Sequence, residues 1–341
     1  MREPERLNER RLHQAGSSQM TRLGPLKNLT HSIAGIDVSA RVLDISIASM
    51  TGDFASSSFA NEDDAIKKLI KMFLKHGVQT VVLEATGGLE LRVWRALEKA
   101  GIAVAQVNPR QIRDFAKSTG ELAKTDKIDA RIIARYGAVM RPRISTLPSE
   151  NMMEIKSLAT RRRQLTEILK AEKNRRTRSQ SRLAAKDIDE LIADLEKRIA
   201  KLQDEIKRLI EMDRTLADKR DLLTSMTGVG QVTAYTLISE LPELGNLGRS
   251  QIAKLAGLAP LNDDSGTRRG VRYIWGGRAV VRQPLYMAAT AARQHCPPFK
   301  RYFERLLAKG KPYKVAMIAL MRKMLTILNA MVKTNTRFIA N

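Results

Sequence analysis

The sequence predicts an α/β unit with a mixed sheet, followed by a long helical connection and a mainly α C-terminal unit. Three observations carry this prediction. Between residues 33 and 137, apolar or alternating runs and helical periodicity follow the order β-β-β-α-β-α-β-α-α. From 150 to 220 the apolar residues keep a helical spacing throughout. After 221, helical segments resume around an arginine-rich loop. A chain of 341 residues with 43% hydrophobic content is long enough for two or three cored domains, at ~100–200 residues each.

Residues 1–31 are polar and charged, with Glu3, Glu5 and Glu9 among arginines. They lack an apolar run of the kind a signal peptide carries and read as a basic flexible tail. IAGIDVSARVLDISIASM, residues 33–50, reads as two adjoining strands. The second alternates Leu43, Ile45 and Ile47 with Asp44, Ser46 and Ala48, as a half-buried antiparallel strand does. A third strand near 55–60 and a helix through DDAIKKLIKMFLKHG follow. TVVLEAT, residues 80–86, is apolar until Glu84, which suits a central strand covered on both faces. LELRVWRALEKAG reads as a helix, AVAQVNP as a strand, and 109–118 and 126–137 as two helices.

In the connection, Ile188, Ile192, Leu195, Ile199, Leu202, Ile206 and Leu209 alternate steps of four and three, a heptad seam. It serves either an antiparallel hairpin with the preceding helix or a coiled coil between chains; assembly is the expectation. SMTGVGQVTAYTLISEL, residues 225–241, places a Gly-x-Gly turn between helical segments and resembles a helix-hairpin-helix. The turn amides and following helix N-terminus of such an element can hold a DNA phosphate. The expected divisions are therefore 1–31, 32–148, 149–220 and 221–341.

Lysine and arginine number 60 against 36 acids, a net charge of +24. From Gly266 to Asn341 there are sixteen basic residues and the single acid Glu304. A second basic block, 161–182, holds nine against Glu167 and Glu172. One-signed clustering of this kind predicts a polyanionic partner, most simply nucleic acid. One cysteine, Cys296, precludes an intramolecular disulfide and suits a reducing cytoplasm. With only four histidines there is no Cys/His zinc cluster. No run approaches the ~18 apolar residues of a membrane span, and no membrane partner is expected.

Four carboxylates stand out. Asp37 lies in an apolar strand, where an unsupported charge is costly. Glu84 ends an apolar strand, where α/β sheets place ligand groups. Asp126 and Asp129 in KTDKIDARIIARY lie three apart on a helix, close enough to repel. Lys124, Lys127, Arg131 and Arg135 lie nearby, so either a salt-bridge lattice or a metal site accounts for the pair. Taken jointly, an Asp on the first strand, a Glu ending the fourth and paired Asp on a later helix form the layout of an RNase H-like fold. Mg²⁺ or Mn²⁺ suits such oxygen donors, and two ions can clamp a phosphodiester undergoing displacement.

The stretch 259–287 is the other unusual one. Ser265 precedes Gly266 and is followed by Arg268, Arg269, Arg272, Arg278 and Arg282. Arginine forks match phosphate oxygens, and a serine there could attack phosphorus; from the residues alone the plainer reading, that Ser-Gly is a common turn, is the stronger.

GIDVS, LEATG, VNPRQIRDFAKSTGELAKTDKIDA, MTGVGQVTA, AGLAP, SGTRRG and GGRAVVRQPLYMAA occur in this order. Together they resemble the DEDD-type transposases of bacterial insertion sequences related to the Piv DNA invertase, over roughly residues 32–335. The resemblance implies a RuvC-like nuclease domain, a coiled-coil connection and a C-terminal domain with a nucleophilic serine. It assigns Asp37, Glu84, Asp126 and Asp129 to the metal-binding tetrad and Ser265 to the nucleophile. Arg268, Arg269, Arg272, Arg278 and Arg282 become candidate phosphate contacts, with Lys124 a further one. It further implies DNA recombination through a phosphoserine link, a structured noncoding guide RNA, a dimer or tetramer, and a bacterial cytoplasmic location. The sequence departs from the pattern at Trp275–Arg278, where the family often carries Lys-x-Gly-Asn, at Pro284, and in its 31-residue front extension. A metal-dependent junction resolvase using water, with Ser265 idle, is the rival enzyme reading; a non-catalytic nucleic-acid-binding protein is the rival outside enzymes.

Overall fold

The computed structural model describes residues 32–48, 54–121, 126–266, 268–270 and 272–340, with backbone alone at 126–128, 268 and 269. The front extension and Lys124 lie outside the described residues. The chain divides into two compact units, Met1–Leu147 and Pro148–Asn341.

In the first unit, β1 (Ser32–Val38), β2 (Val42–Ala48), β3 (Phe54–Ala60), β4 (Val78–Glu84) and β5 (Ala103–Val107) form one sheet in the order β3-β2-β1-β4-β5. β1–β2 and β2–β3 pair antiparallel, whereas β1–β4 and β4–β5 pair parallel. Each face is set by strand parity. Ala34, Ile36, Leu43, Ile45, Val81 and Leu83 face α1 (Asp63–Lys75) and α2 (Leu91–Lys99), whose Leu69, Phe73, Trp94 and Leu97 complete that core. Ile33, Val82, Ala105 and Val107 face the other way, onto Ile112 of α3 (Pro109–Ser118) and Ile132, Ile133 and Tyr136 of α4 (Asp126–Met140). Helices on both faces explain why β4 reads as an unbroken apolar run. β3, at the sheet edge, is mostly exposed, which its serines tolerate.

In the second unit, α5 (Glu150–Arg176) and α6 (Arg182–Glu211) fold back on each other. Asn151 reaches the Leu209 carbonyl, Lys173 pairs with Glu196 and Arg176 with Asp189, so the two helices run antiparallel. The heptad seam thus closes within the chain along its base, where Ile155, Ile206 and Ile210 are buried. Towards the tip Ile168 and Leu191 are 43% and 40% exposed.

α7 (Arg214–Thr224), α8 (Gln231–Glu240), α9 (Arg249–Leu255), α10 (Arg282–His295) and α11 (Pro297–Ala308) surround α12 (Tyr313–Thr334). Met317, Leu320, Met324, Leu325 and Leu328 of α12 lie at the centre of the core. α12 is long and apolar enough to cross a membrane by length and composition, but half of that window is buried inside this unit. The sequence pattern left α9 and α11 unassigned. In the α7–α8 turn, Gly228 (φ +93°) abuts α10, where a Cβ would lie 2.4 Å from the Ala288 carbonyl oxygen.

Candidate functional site

Register places the first two candidate acids side by side. β1 and β4 are parallel with Gly35 beside Val82 and Ile36 beside Leu83, so the next step sets Asp37 beside Glu84. On the other flank Asp37 is the direct cross-strand partner of Asp44 in β2. Three carboxylate-bearing positions therefore stand abreast on adjacent strands, within ~4.5–5.5 Å of one another from strand to strand. Parity gives them a common face. Gly35 and Val82, two residues back on their strands, both meet α4: a Cβ on Gly35 would lie 2.2 Å from the Ala134 nitrogen and 2.5 Å from the Ala130 oxygen, and Val82 touches Gly137.

The same contacts give the direction of α4. Gly137 lies near Ile33 at the start of β1, and Ala130 and Ala134 lie near Gly35 further along. α4 thus runs against β1, and its first turn, with Asp126 and Asp129, comes to the carboxyl ends of β1 and β4. Arg131 and Arg135 reach away to Glu121, at 3.1 and 3.6 Å. Asp37, Glu84 and Asp129 each engage neighbouring groups. Among the described residues no three His, Cys, Asp or Glu side chains form a group able to hold a metal; the Asp126 side chain lies outside that description.

Two acids that sequence reasoning passed over border this end of the sheet. Asp44 looked like the solvent half of an alternating strand; it faces Asp37 and accepts a hydrogen bond from the Ser58 hydroxyl. Glu90 is buried and holds the turn that follows Glu84: one oxygen accepts from the Thr86 hydroxyl at 2.7 Å and the Gly88 amide at 2.9 Å, the other from Gln106 at 2.8 Å. The signal for Asp44 was its pairing distance from Asp37 across a short turn. Glu90 gave none.

In the second unit the loop expected at 262–283 is ordered into nested ladders. β6 (Pro260–Leu261) pairs with β9 (Tyr273–Ile274), and β7 (Asp264–Ser265) with β8 (Arg268–Arg269). Ser265 is exposed at the far end of this arm, opposite Arg268, next to Gly266 at φ +55°. Arg268 and Arg269 flank it on β8 by backbone position. Arg272 is exposed nearer the base.

Arg278 and Arg282 are used internally. Both guanidinium nitrogens of Arg278 bond Glu243 at 2.6 Å, one also donating to the Glu240 carbonyl at 2.7 Å. Arg282 donates to the Gly276 carbonyl at 2.8 Å. Together they bind the 275–278 turn to the end of α8 and to Gly257 after α9. There the backbones approach so closely that a Cβ on Gly277 would sit 2.3 Å from the Gly257 nitrogen.

Comparison with known proteins finds matches in both units. A family model described as "Transposase", of the DEDD IS110 type, matches residues 34–180, and one described as "Transposase IS116/IS110/IS902 family" matches 220–304. A pilin gene-inverting protein of Moraxella bovis is 29% identical over 323 residues, 91% of this chain and 98% of that protein. Its counterpart in Moraxella lacunata is 28% identical over 322 residues with the same coverage. An insertion element IS110 protein of 43.6 kDa from Streptomyces coelicolor is 32% identical over 117 residues, 34% of this chain and 29% of that protein. With two models of one family spanning the acid-bearing sheet and the serine arm, and relatives matched along nearly their whole length, the chain belongs to the IS110-type DEDD transposases related to the Piv invertase, enzymes that cut and rejoin DNA and whose class implies dependence on a divalent metal.

Proposed function

We propose that the chain is a site-specific recombinase of a bacterial insertion sequence in which the Ser265 hydroxyl attacks a DNA phosphodiester and the acids at the carboxyl ends of β1 and β4 bind metal. The observation that carries the acidic site is the row Asp44, Asp37 and Glu84 at one height of the sheet, with α4 delivering Asp126 and Asp129 to the same end. Like charges directly opposite on a sheet repel, and this crowding is relieved by a hard cation. The oxygen-only donor set fits Mg²⁺ or Mn²⁺; Asp37, Glu84, Asp126 and Asp129 would hold it, where it would polarise a phosphate oxygen. The sheet order β3-β2-β1-β4-β5 with one antiparallel flank supports an RNase H-like, RuvC-like reading of this unit.

In the transfer, the Ser265 Oγ–P bond forms as the bond to one ester oxygen of DNA breaks. The serine proton leaves to a base, and the displaced DNA oxygen ends as a hydroxyl. Arg268, Arg269 and Arg272, along the same arm, are suited to the non-bridging oxygens. Rejoining reverses the step, with a DNA hydroxyl attacking the phosphoserine. Strand exchange needs more than one such serine, which favours a dimer or tetramer. The basic 161–182 and 266–341 segments suit a guide RNA as well as DNA. The reaction takes place in the bacterial cytoplasm, where the element's DNA lies.

The test incubates purified protein, Mg²⁺, RNA from the noncoding segment beside the gene and labelled element-end DNA. A protease-sensitive protein–DNA adduct on a denaturing gel, lost in both Ser265→Ala and Asp126→Ala, is the expected result. Nicked DNA without an adduct, unchanged by Ser265→Ala, overturns the serine chemistry in favour of water attack.

A further inference from the structure

We propose that the cleft between α9, α12 and the base of the serine arm holds an unpaired stretch of nucleic acid, with bases on its apolar floor and phosphates on its basic rim. The cleft encloses about 1380 Å³, beyond the ~300–1,000 Å³ of an ordinary small-molecule site. Leu258, Ile274, Ile318 and Ile327 line it, and so do Arg249, Arg272, Arg322, Lys323 and Lys333; among the described residues no Asp or Glu does.

The wall formed by α12 shows how the chain builds it. Val315, Ala319, Arg322, Thr326, Ala330 and Lys333 all line the cleft, at steps of four, three, four, four and three that keep them on one helical face. The opposite face, with Leu320, Met324 and Leu328, is buried in the core. A helix with one face committed to the core leaves this second, mixed face for something apolar and polyanionic at once. Bases joined by phosphates have that chemistry, and ring stacking beside cationic side chains is how single strands are held. Tyr273, 58% exposed on the arm, supplies a ring; Lys323 stands 5.2 Å from the Tyr302 ring on the opposite side. A duplex hides its bases and offers only phosphates to such a floor.

Position gives the cleft a role. Pro260, Arg272, Tyr273 and Ile274 line it and also form the base of the arm that carries Ser265. From Leu261 to Ser265 is four residues, at most ~13 Å at strand rise. That is about four nucleotides at ~3.4 Å each along one strand. A strand seated in the cleft is thus led towards Ser265; this last step alone rests on the function proposed above, whereas occupancy of the cleft does not.

Because the whole chain carries +24, losing a cation anywhere weakens nucleic-acid binding, so the decisive variant is neutral. Ala319→Trp fills the cleft from α12 without changing charge, and Thr326→Trp is the substitute should the first not melt like wild type. Binding of the full chain to single-stranded oligothymidine, oligouridine and duplex DNA, each of about 15 units, is read by fluorescence anisotropy across salt concentrations. Iodouracil-bearing strands are then photo-crosslinked and the attached peptides mapped. Ala319→Trp is expected to weaken single strands by about tenfold or more, the loss of one stacked base, with duplex affinity and salt slope unchanged. Arg322→Gln with Lys333→Gln should lower the single-strand salt slope by about 1.4. Cross-links should fall on Tyr273 or on peptides of α12, and a preference between thymidine and uridine strands identifies DNA or RNA as the occupant. Wild-type single-strand binding in both tryptophan variants, equal losses for duplex, or cross-links wholly outside the cleft would overturn the assignment. An oligomer that dissociates in Ala319→Trp while strand binding persists would instead make the cleft a contact between copies.

Discussion

Gly35 is the position at which a single methyl group should uncouple the acidic row from the helix above it. An alanine Cβ there would lie 2.2 Å from the Ala134 nitrogen and 2.5 Å from the Ala130 oxygen. Both are backbone atoms in mid-helix, so no rotamer change relieves the clash. Ordinary contact is ~3.5 Å, so α4 must lift by roughly 1 Å, opening the Ile132–Ile133–Tyr136 layer beneath it. Overpacking of this kind costs about 1–3 kcal/mol, or ~4–8 °C of melting temperature per kcal/mol for a domain of about 100 residues.

The chain has two tryptophans, and only Trp94 lies in the first unit, where it is 3% exposed. In a Trp275→Phe background its fluorescence therefore follows the unfolding of that unit alone. Gly35→Ala should lower the Trp94 transition by several degrees. Because α4 also carries Asp126 and Asp129, a displacement near 1 Å should reduce strand cleavage by about 10²-fold at temperatures where the unit is folded. Gly137→Ala is the milder comparison: its Cβ would meet side-chain methyls of the β-branched Val82 and Ile33 at 2.6 and 3.0 Å and no backbone atom, so it should lower the transition by less than Gly35→Ala. If Gly35→Ala melts with wild type, α4 does not lie against β1 as described. If it melts lower but cleaves normally, the first turn of α4 is no part of the site.

Asn329 is 3% exposed in α12, accepting from the Gly245 amide and donating to the Leu247 carbonyl, both at 2.9 Å. Asn329→Ala strands the buried Gly245 amide and the half-buried Leu247 carbonyl and should cost about 2 kcal/mol, a drop of ~4–8 °C in the second unit's calorimetric transition; a change within 1 °C refutes the clamp. Lys219 is half-buried on α7, and desolvation holds its pKa below the usual lysine value, partly countered by the Glu243 carboxylate. The unfolded chain therefore binds the proton more tightly, so this residue's contribution to stability improves as pH rises from the folded pKa towards the ordinary lysine range. Lys219→Met should melt higher than wild type at neutral pH, with the difference narrowing as pH rises through that window; a constant difference refutes the assignment.

How much of this was readable in the sequence depended on whether the signal was local. Alternation in 42–48 announced β2, and the apolar run within 80–86 announced β4, because one strand is covered on one face and the other on both. Asp37, Glu84 and the 126/129 pair were legible as acids in costly places. That Asp44 faces Asp37 could be read only from the short turn between their strands, since a polar residue alternating with leucine and isoleucine looks the same whether it meets water or another acid. The heptad seam of α6 gave a helix and a partner-seeking face, yet its partner along the base proved to be α5 of the same chain; spacing specifies a seam and leaves open whose helix fills it. The 262–283 loop hid its ladders because β6 to β9 are two-residue strands, too short for a period-two pattern to repeat.

The arginines of that loop show why a basic cluster cannot be converted directly into a list of phosphate contacts. Arg272 and Arg278 are equally arginine and only six residues apart. Arg278 falls where the GGR turn folds back on α8, within reach of both Glu243 oxygens and the Glu240 carbonyl. A fork satisfied on three acceptors loses those bonds if it turns to a phosphate, so its charge serves the fold first. Arg272 lies at the base of the arm, where no carboxylate among the described residues lines the cleft to claim it. Net charge measures the attraction of the whole chain for a polyanion. Which side chain delivers it depends on where the chain's acids already lie, and from Gly266 to Asn341 the only acid, Glu304, sits on α11, outside the cleft lining.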